Sequence, residues 1–219
     1  MSRHPEKETK KSDRMHLSKA EKVAIPIILI VAVWVIYSVV QPSVPAPQHT
    51  VTASNTASTA NLAPDFTLPV VGPNGLTGQS ISLSSFRGKV VFLEFMEPWC
   101  PHCQHMAPVL EDLYSKYQSN VVFLSVGGPW NGPDGNPASA QDVANFIKGG
   151  PVDGETNTWG PTSWTYVYDS SGTVMNTLYG VNSTPTFFII GKNGAIFTTF
   201  SGEQEEGTLA SAIASASSS

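Results

Sequence analysis

The chain has little cysteine and little charge, and both shortages restrict what it can be. Two cysteines in 219 residues are too few for a framework of structural disulfides. Charged residues make up 13% of the chain, against about a quarter in an average protein. Of the 12 basic and 17 acidic residues, seven and four lie before residue 23, which leaves five basic and 13 acidic residues in the remainder. Because so acidic a remainder offers no positive surface to phosphates, we expect no nucleic-acid partner.

The longest apolar run lies near the N-terminus. Val23 to Val40 is uncharged over 18 residues, which is just long enough for a helix that spans a bilayer. Seven basic residues precede the run and none follows it for 46 residues. By the positive-inside rule, residues 1–22 are then a cytoplasmic segment, and the chain beyond about residue 41 is extracytoplasmic. We expect a single-pass anchor in the cell membrane; a cleaved signal peptide and a buried core helix are the alternatives.

Composition divides the rest of the chain into a linker, one domain and a tail. Residues 41–61 are uncharged and rich in Pro, Ser, Thr and Ala, which is typical of a flexible linker. Residues 62–213 alternate strand-like and helical patterns and end in a hairpin and a helix, which predicts a three-layer α/β domain with a mixed sheet. Residues 214–219 are small and mostly polar, and we expect a disordered tail there.

The elements of this domain are predicted from the spacing of apolar residues and from turn signals. Strands are expected at 66–71, 80–83, 89–96, 121–126, 164–169, 186–190 and 195–200. Helices are expected at 103–118, 139–148 and 203–213. The run 89–96 is almost wholly apolar, which is typical of a strand that is buried on both faces.

The two cysteines, Cys100 and Cys103, lie where this buried strand is followed by a predicted helix. A structural zinc site needs four ligands; the last histidine is His105, so all four would come from six consecutive residues, and we assign no metal ligand. Unpaired amide groups at a helix N-terminus stabilise a thiolate. We therefore expect Cys100 to be the nucleophile with a lowered pKa, and Cys103 to resolve the mixed disulfide.

Two polar residues near the cysteines are assigned roles. Glu94 interrupts the apolar strand six residues before Cys100, where burial raises the pKa of a carboxyl group. We expect it to accept the proton of Cys103, unless strand alternation turns it toward solvent. His102 can add positive charge or a hydrogen bond near the thiolate; the alternative is an exposed helix residue without a role.

The segment from Glu94 to Pro108 resembles the active-site segment of the thioredoxin superfamily. Members have a buried acid six residues before the first cysteine, a tryptophan just before it and a proline eight residues after it. Glu94, Trp99 and Pro108 stand at these positions. Thr184 and Pro185 are similar to the second signature of the superfamily, a cis-proline loop that faces the cysteines, although a simple strand start is the alternative for Pro185.

This resemblance implies a thioredoxin-like fold and a substrate-binding surface beside the cysteines. The residues implied to contact substrate are Trp99, Pro101, His102, Thr184 and Pro185. A cis-proline loop presents the preceding backbone to an extended substrate segment for strand-like pairing.

Within the superfamily, the lead-in segments 63–66 and 83–89 resemble the membrane-tethered TlpA/ResA-like redoxins, as do the linker and the insertion between residues 127 and 163. The resemblance implies a thiol–disulfide oxidoreductase that acts on extracytoplasmic protein thiols or disulfides, together with a redox partner in the membrane. It implies no cofactor apart from a redox-active disulfide between the two cysteines. Pro101 and His102 depart from this group, since the same pair occurs in the oxidising enzyme DsbA, and the direction of electron flow stays open.

Two other functions compete with this interpretation. The cluster of Cys100, His102, Cys103, His105 and Met106 could bind or deliver copper. Copper proteins of the redoxin fold of the Sco type use Cys-x3-Cys and a distant histidine, however, and this sequence has neither. A peroxiredoxin would share the lead-in segment, but the residues before its reactive cysteine are proline and threonine, which Pro98 and Trp99 do not match.

Overall fold

The computed structural model of the protein describes residues 61–151 and 159–219. The predicted cytoplasmic segment 1–22, the anchor 23–40 and all of the linker 41–61 except its last residue lie outside this part. Among the residues that it does describe, no helix is both long enough and apolar enough to cross a membrane.

Seven strands form one mixed sheet at the centre of the domain. In chain order they are β1 (Thr67–Gly72), β2 (Gly75–Ser82), β3 (Val90–Met96), β4 (Val121–Gly127), β5 (Thr165–Tyr168), β6 (Thr186–Ile190) and β7 (Ile196–Ser201). Across the sheet they lie in the order β2-β1-β5-β4-β3-β6-β7. Strand β4 is parallel to β3 and to β5, while the other neighbouring pairs are antiparallel. The predicted mixed sheet is confirmed.

The position of β3 explains its sequence. It lies between β4 and β6 and all seven of its residues are buried, so both faces demand apolar side chains. Strand β2, in contrast, lies at the edge of the sheet and is mostly exposed. Polar residues and glycines are tolerated there, and for this reason the apolar pattern predicted only the last part of β2.

Helices cover one face of the sheet, and shorter turns cover the other. The helices are α1 (Pro101–Tyr117), α2 (Ala140–Ile147) and α3 (Glu206–Ser218). All three contribute buried residues to one apolar cluster against the sheet. The opposite cluster is completed by a 3-10 turn at Leu83–Phe86 and by a segment with π-helical hydrogen bonding at Thr173–Leu178. The predicted third layer thus consists of short turns and not of α-helices.

Helix α3 corrects the expectation of a disordered tail at residues 214–219. The helix begins later than predicted and continues to Ser218. Ala216 is fully buried in the same apolar cluster as Ile213. The Ser217 hydroxyl donates a hydrogen bond of 2.7 Å to the carbonyl oxygen of Ile213. Contact with the sheet therefore stabilises a segment whose composition alone resembles a tail.

Candidate active site

Both cysteines lie at the start of α1, beyond the carboxyl end of β3. Cys100 occupies the N-cap position and Pro101 the first helical position, where proline costs no hydrogen bond. The turn before the helix is closed by a hydrogen bond of 3.0 Å from the Cys100 amide to the Glu97 carbonyl. Cys100 is 6% exposed, Cys103 is fully buried, and both are free thiols. The predicted position of Cys100 at the helix N-terminus is confirmed.

The surroundings of Cys100 favour its thiolate. The pKa of Cys100 is lowered to about 5, chiefly by a hydrogen bond from the Cys103 side chain. Burial acts in the opposite direction, while the Thr184 side chain and the amides of His102 and Cys103 stabilise the anion further. The Cys100 Sγ lies 3.4 Å from the carbonyl oxygen of Thr184. Cys100 is thus an anionic sulfur near the surface at neutral pH.

Cys103 has the opposite character. Burial and the neighbouring Cys100 sulfur raise its pKa well above the ordinary value of 9.0, and the charge of Glu94 raises it further. Cys103 therefore stays protonated while Cys100 is ionised. Of the two thiols, only Cys100 is both ionised and partly accessible, as a nucleophile must be.

Glu94 is buried, as the sequence predicts, and belongs to a hydrogen-bonded chain. It is 1% exposed, and its Oε2 accepts a hydrogen bond of 2.5 Å from the Ser125 hydroxyl. The same hydroxyl oxygen accepts a hydrogen bond of 2.7 Å from Trp164 Nε1. Burial raises the pKa of Glu94 to about 7, although the Ser125 hydrogen bond opposes this. The carboxyl group can therefore exchange a proton near neutral pH, as a general base must.

A second buried acid, Glu97, was not identified from the sequence. Glu97 is 0% exposed; its Oε1 accepts a hydrogen bond of 3.1 Å from the Trp130 amide, and its Oε2 has no partner. Burial raises its pKa to about 8, the Trp130 amide opposes this, and the charges of Cys100 and Asp169 add to it. Gly128 makes room for the carboxyl group, because a Cβ there would overlap it. An acid three residues before Cys100 is a signal that sequence reasoning could have used.

The predicted substrate-binding residues lie around Cys100. The Thr184–Pro185 peptide bond is cis, which confirms the predicted loop. Trp99 is half-buried and its Nε1 donates a hydrogen bond of 3.3 Å to the Trp130 carbonyl. Pro101 and His102 are exposed on α1. The structure thus brings Trp99, Pro101 and the Thr184–Pro185 loop together at the Cys100 end of the helix.

His102 has a partner that the sequence did not indicate. Its Nδ1 lies 2.5 Å from Glu203 Oε1, and His105 Nδ1 lies 3.3 Å from the same oxygen. The Glu203 hydrogen bond raises the pKa of His102, to which the negative charge of Cys100 adds. His102 is therefore an exposed helix residue that is in contact with Glu203.

The cluster expected for copper binding is divided by the fold. His102 and His105 are exposed, while Cys103 and Met106 are buried. Within residues 61–151 and 159–219, the group able to hold a metal ion is His102, His105 and Glu203, and it includes neither cysteine. The structure thus offers no support for a copper site that combines these cysteines and histidines.

Known proteins similar to this chain are thiol–disulfide oxidoreductases. A protein of Bacillus thuringiensis subsp. konkukian named thiol-disulfide oxidoreductase ResA is 31% identical over 136 residues, which cover 61% of this chain and 67% of the relative. The protein of the same name from Geobacillus thermodenitrificans is 30% identical over 148 residues, 66% of this chain and 70% of the relative. A solved structure of a thiol:disulfide interchange protein DsbE from Chlorobium tepidum has a TM-score of 0.56 at 26% identity, and the match covers 72% of this chain and 96% of that protein.

These likenesses agree with the geometry of the cysteines and confirm both the thioredoxin-like fold and the resemblance to TlpA/ResA-like redoxins. The AhpC/TSA family, in turn, matches residues 59–198, well over half of the chain. From the fold, the site and these matches together, the chain belongs to the AhpC/TSA family.

Proposed function

We propose that this chain, a thiol–disulfide oxidoreductase of the ResA/DsbE type, exchanges disulfides with extracytoplasmic proteins through Cys100 and Cys103. The observation that carries the proposal is the contrast between the two thiols. Cys100 lies at the N-cap of α1 with a pKa of about 5, and Cys103 is buried one turn further along with its pKa well above 9.0. Cys100 is a thiolate that can attack a disulfide, and Cys103 stays a buried thiol until Cys100 has reacted.

In the reducing direction, the Cys100 thiolate attacks one sulfur of a substrate disulfide. The substrate S–S bond breaks, its electron pair leaves with the second substrate sulfur, and Cys100 is joined to the substrate in a mixed disulfide. Cys103 then loses its proton and attacks the Cys100 sulfur, which forms the Cys100–Cys103 disulfide and releases the second substrate thiol. The substrate gains two electrons from the two enzyme sulfurs. Of the two protons on its new thiols, one is balanced by the proton that Cys103 gives up and the other comes from solvent, because Cys100 is already ionised. The same steps in reverse oxidise a substrate dithiol.

Glu94 is proposed as the acceptor of the Cys103 proton. Two observations support this role: the pKa of Glu94 is about 7, which suits a base at neutral pH, and the charge of Glu94 acts on the pKa of Cys103. The hydrogen bond from Ser125 holds the carboxyl group in position. In this role Glu94 takes up the proton that Cys103 must lose before it attacks the mixed disulfide.

The substrate is proposed to dock as an extended segment beside the Thr184–Pro185 loop. The Thr184 carbonyl oxygen, at 3.4 Å from Cys100 Sγ, is placed to accept a backbone hydrogen bond next to the reacting sulfur. Trp99, Pro101 and His102 complete this surface. No cofactor apart from the disulfide is required by the reaction.

The apolar run 23–40 is proposed as the anchor that holds the domain outside the cell membrane. An extracytoplasmic domain needs a supply or a drain of electrons, and we propose a redox partner in the membrane for this purpose. The reduction potential of the Cys100–Cys103 pair decides the direction of electron flow. Typical values are about −270 mV for thioredoxin and about −120 mV for DsbA. Equilibration with defined glutathione ratios measures it: a value near the first means a reductase, and a value near the second an oxidase.

Two cysteine variants test the proposed roles. Cys100→Ser is expected to abolish exchange with a disulfide-containing protein, and Cys103→Ser is expected to accumulate a mixed disulfide that gel electrophoresis without reductant reveals. Ser84→Ala, a substitution in the 3-10 turn away from the cysteines, serves as the control. Full activity of Cys100→Ser would rule the proposal out.

A further inference from the structure

The active-site helix has a second group of polar side chains on its exposed surface. His102 and His105 are three positions apart on α1 and therefore lie on one face of it. Glu203 reaches them from the segment between β7 and α3. The ligand atoms of the three side chains all lie within 4.8 Å of one another, and all three residues are exposed.

We propose that His102, His105 and Glu203 form a binding site for a zinc-like divalent metal ion. Two imidazoles and one carboxylate are a ligand set that zinc uses when a further position is left to water. At usual bond lengths, ligand atoms around tetrahedral zinc are about 3.4 Å apart. The two His–Glu separations here are 2.5 and 3.3 Å, so rotations of exposed side chains are enough to admit the ion.

The backbone that presents Glu203 is already held against α1. The amide of Gln204 donates to Met106 Sδ at 3.5 Å, and the Gln204 side chain donates to the Ser201 and Gly202 carbonyls at 3.2 and 3.3 Å. Further along, Lys116 and Glu206 form an ion pair between α1 and the start of α3. The third ligand therefore approaches the histidines without any movement of the main chain.

An ordinary surface ion pair is the competing explanation for these contacts. Exposed ion pairs contribute little to stability, and a single histidine would be sufficient to form an ion pair with Glu203. Here the ligand atoms of two histidines and one carboxylate lie within 4.8 Å of one another, which is close enough for one metal ion to contact all three. The site is different from the cysteine pair, and the proposal is independent of the exchange reaction.

Zinc binding to the full chain tests the proposal. Cys100 and Cys103 are both replaced by serine, so that no thiolate contributes, and Zn²⁺ is titrated calorimetrically in a non-coordinating buffer. We expect one ion per chain at the site. Glu203→Gln and His105→Ala should each weaken binding by at least about tenfold, a loss seen even when only a group that orients a ligand is removed. Co²⁺ in place of zinc should give a visible spectrum that both substitutions abolish.

Glu205→Gln is the matched control, because Glu205 is an exposed acid two residues from Glu203. It should retain the affinity of the parent chain. The histidines at positions 4, 16 and 49 are present in every variant, so binding to them cannot produce the expected difference. Circular dichroism checks that each variant is folded. Equal zinc affinity in the parent, Glu203→Gln and His105→Ala chains, or no binding at all, would overturn the proposal.

Discussion

Replacing Glu97 by glutamine should make the domain more stable in alkaline solution. The carboxyl group is fully buried and one of its oxygens has no partner, so the fold favours the protonated form. Glutamine has the same shape as protonated glutamate and keeps the acceptor for the Trp130 amide. It removes only the ability to ionise.

The magnitude follows from the pKa of Glu97, which burial raises from 4.5 to about 8. Between these values the folded chain keeps a proton that the unfolded chain has lost, so stability falls as pH rises through this window. Below pH 4.5 Glu97 causes no such loss of stability, and above pH 8 the loss is complete. The full shift corresponds to about 5 kcal/mol; because local opening can admit water to the carboxylate, we expect about 2 to 4 kcal/mol.

Denaturant unfolding of the reduced protein, followed by tryptophan fluorescence, measures the free energy of unfolding of wild type and variant. At pH 5 wild type and Glu97→Gln should differ by less than about 1 kcal/mol, and at pH 9 the variant should be more stable by the amount above. The exposed Glu205→Gln substitution should change neither value by more than about 0.5 kcal/mol. If wild type and Glu97→Gln lose stability equally between pH 5 and pH 9, the assignment of a buried, protonated Glu97 is wrong.

Three further predictions concern Cys100, Ser125 and the end of α3. The rate of alkylation of Cys100 by iodoacetamide should rise with a midpoint near pH 5 and level off well below pH 8, because the pKa of Cys100 is about 5; a midpoint near 9 would contradict this. Ser125→Ala removes the hydrogen bond that lowers the pKa of Glu94, so the pH at which resolution of the mixed disulfide is half-maximal should move above about 7, whereas the exposed Ser211→Ala should leave it unchanged. Deleting residues 214–219 removes the buried Ala216 and should lower the free energy of unfolding by about 1 to 2 kcal/mol; an unchanged value would mean that this end of α3 does not contribute.

The sequence alone determined the parts of the site that depend on neighbouring residues. Cys100 and Cys103 share one helical turn, so their roles follow from spacing and from the strand that precedes them. Glu94 was identifiable because an acid in an apolar strand contradicts the pattern around it. The central strands were predicted for the same reason, since burial on both faces leaves a continuous apolar run.

Only the tertiary structure decided which distant residues meet. Glu203 lies 101 residues after His102, and Ser125 lies 31 residues after Glu94; no local period connects such pairs. Glu97 looks like an ordinary turn residue until the segment around Trp130 covers it. The composition around Ala216 is typical of a disordered tail, but its contacts make it part of a helix. Packing against the sheet, and not local preference, supplies most of the stability of a helix.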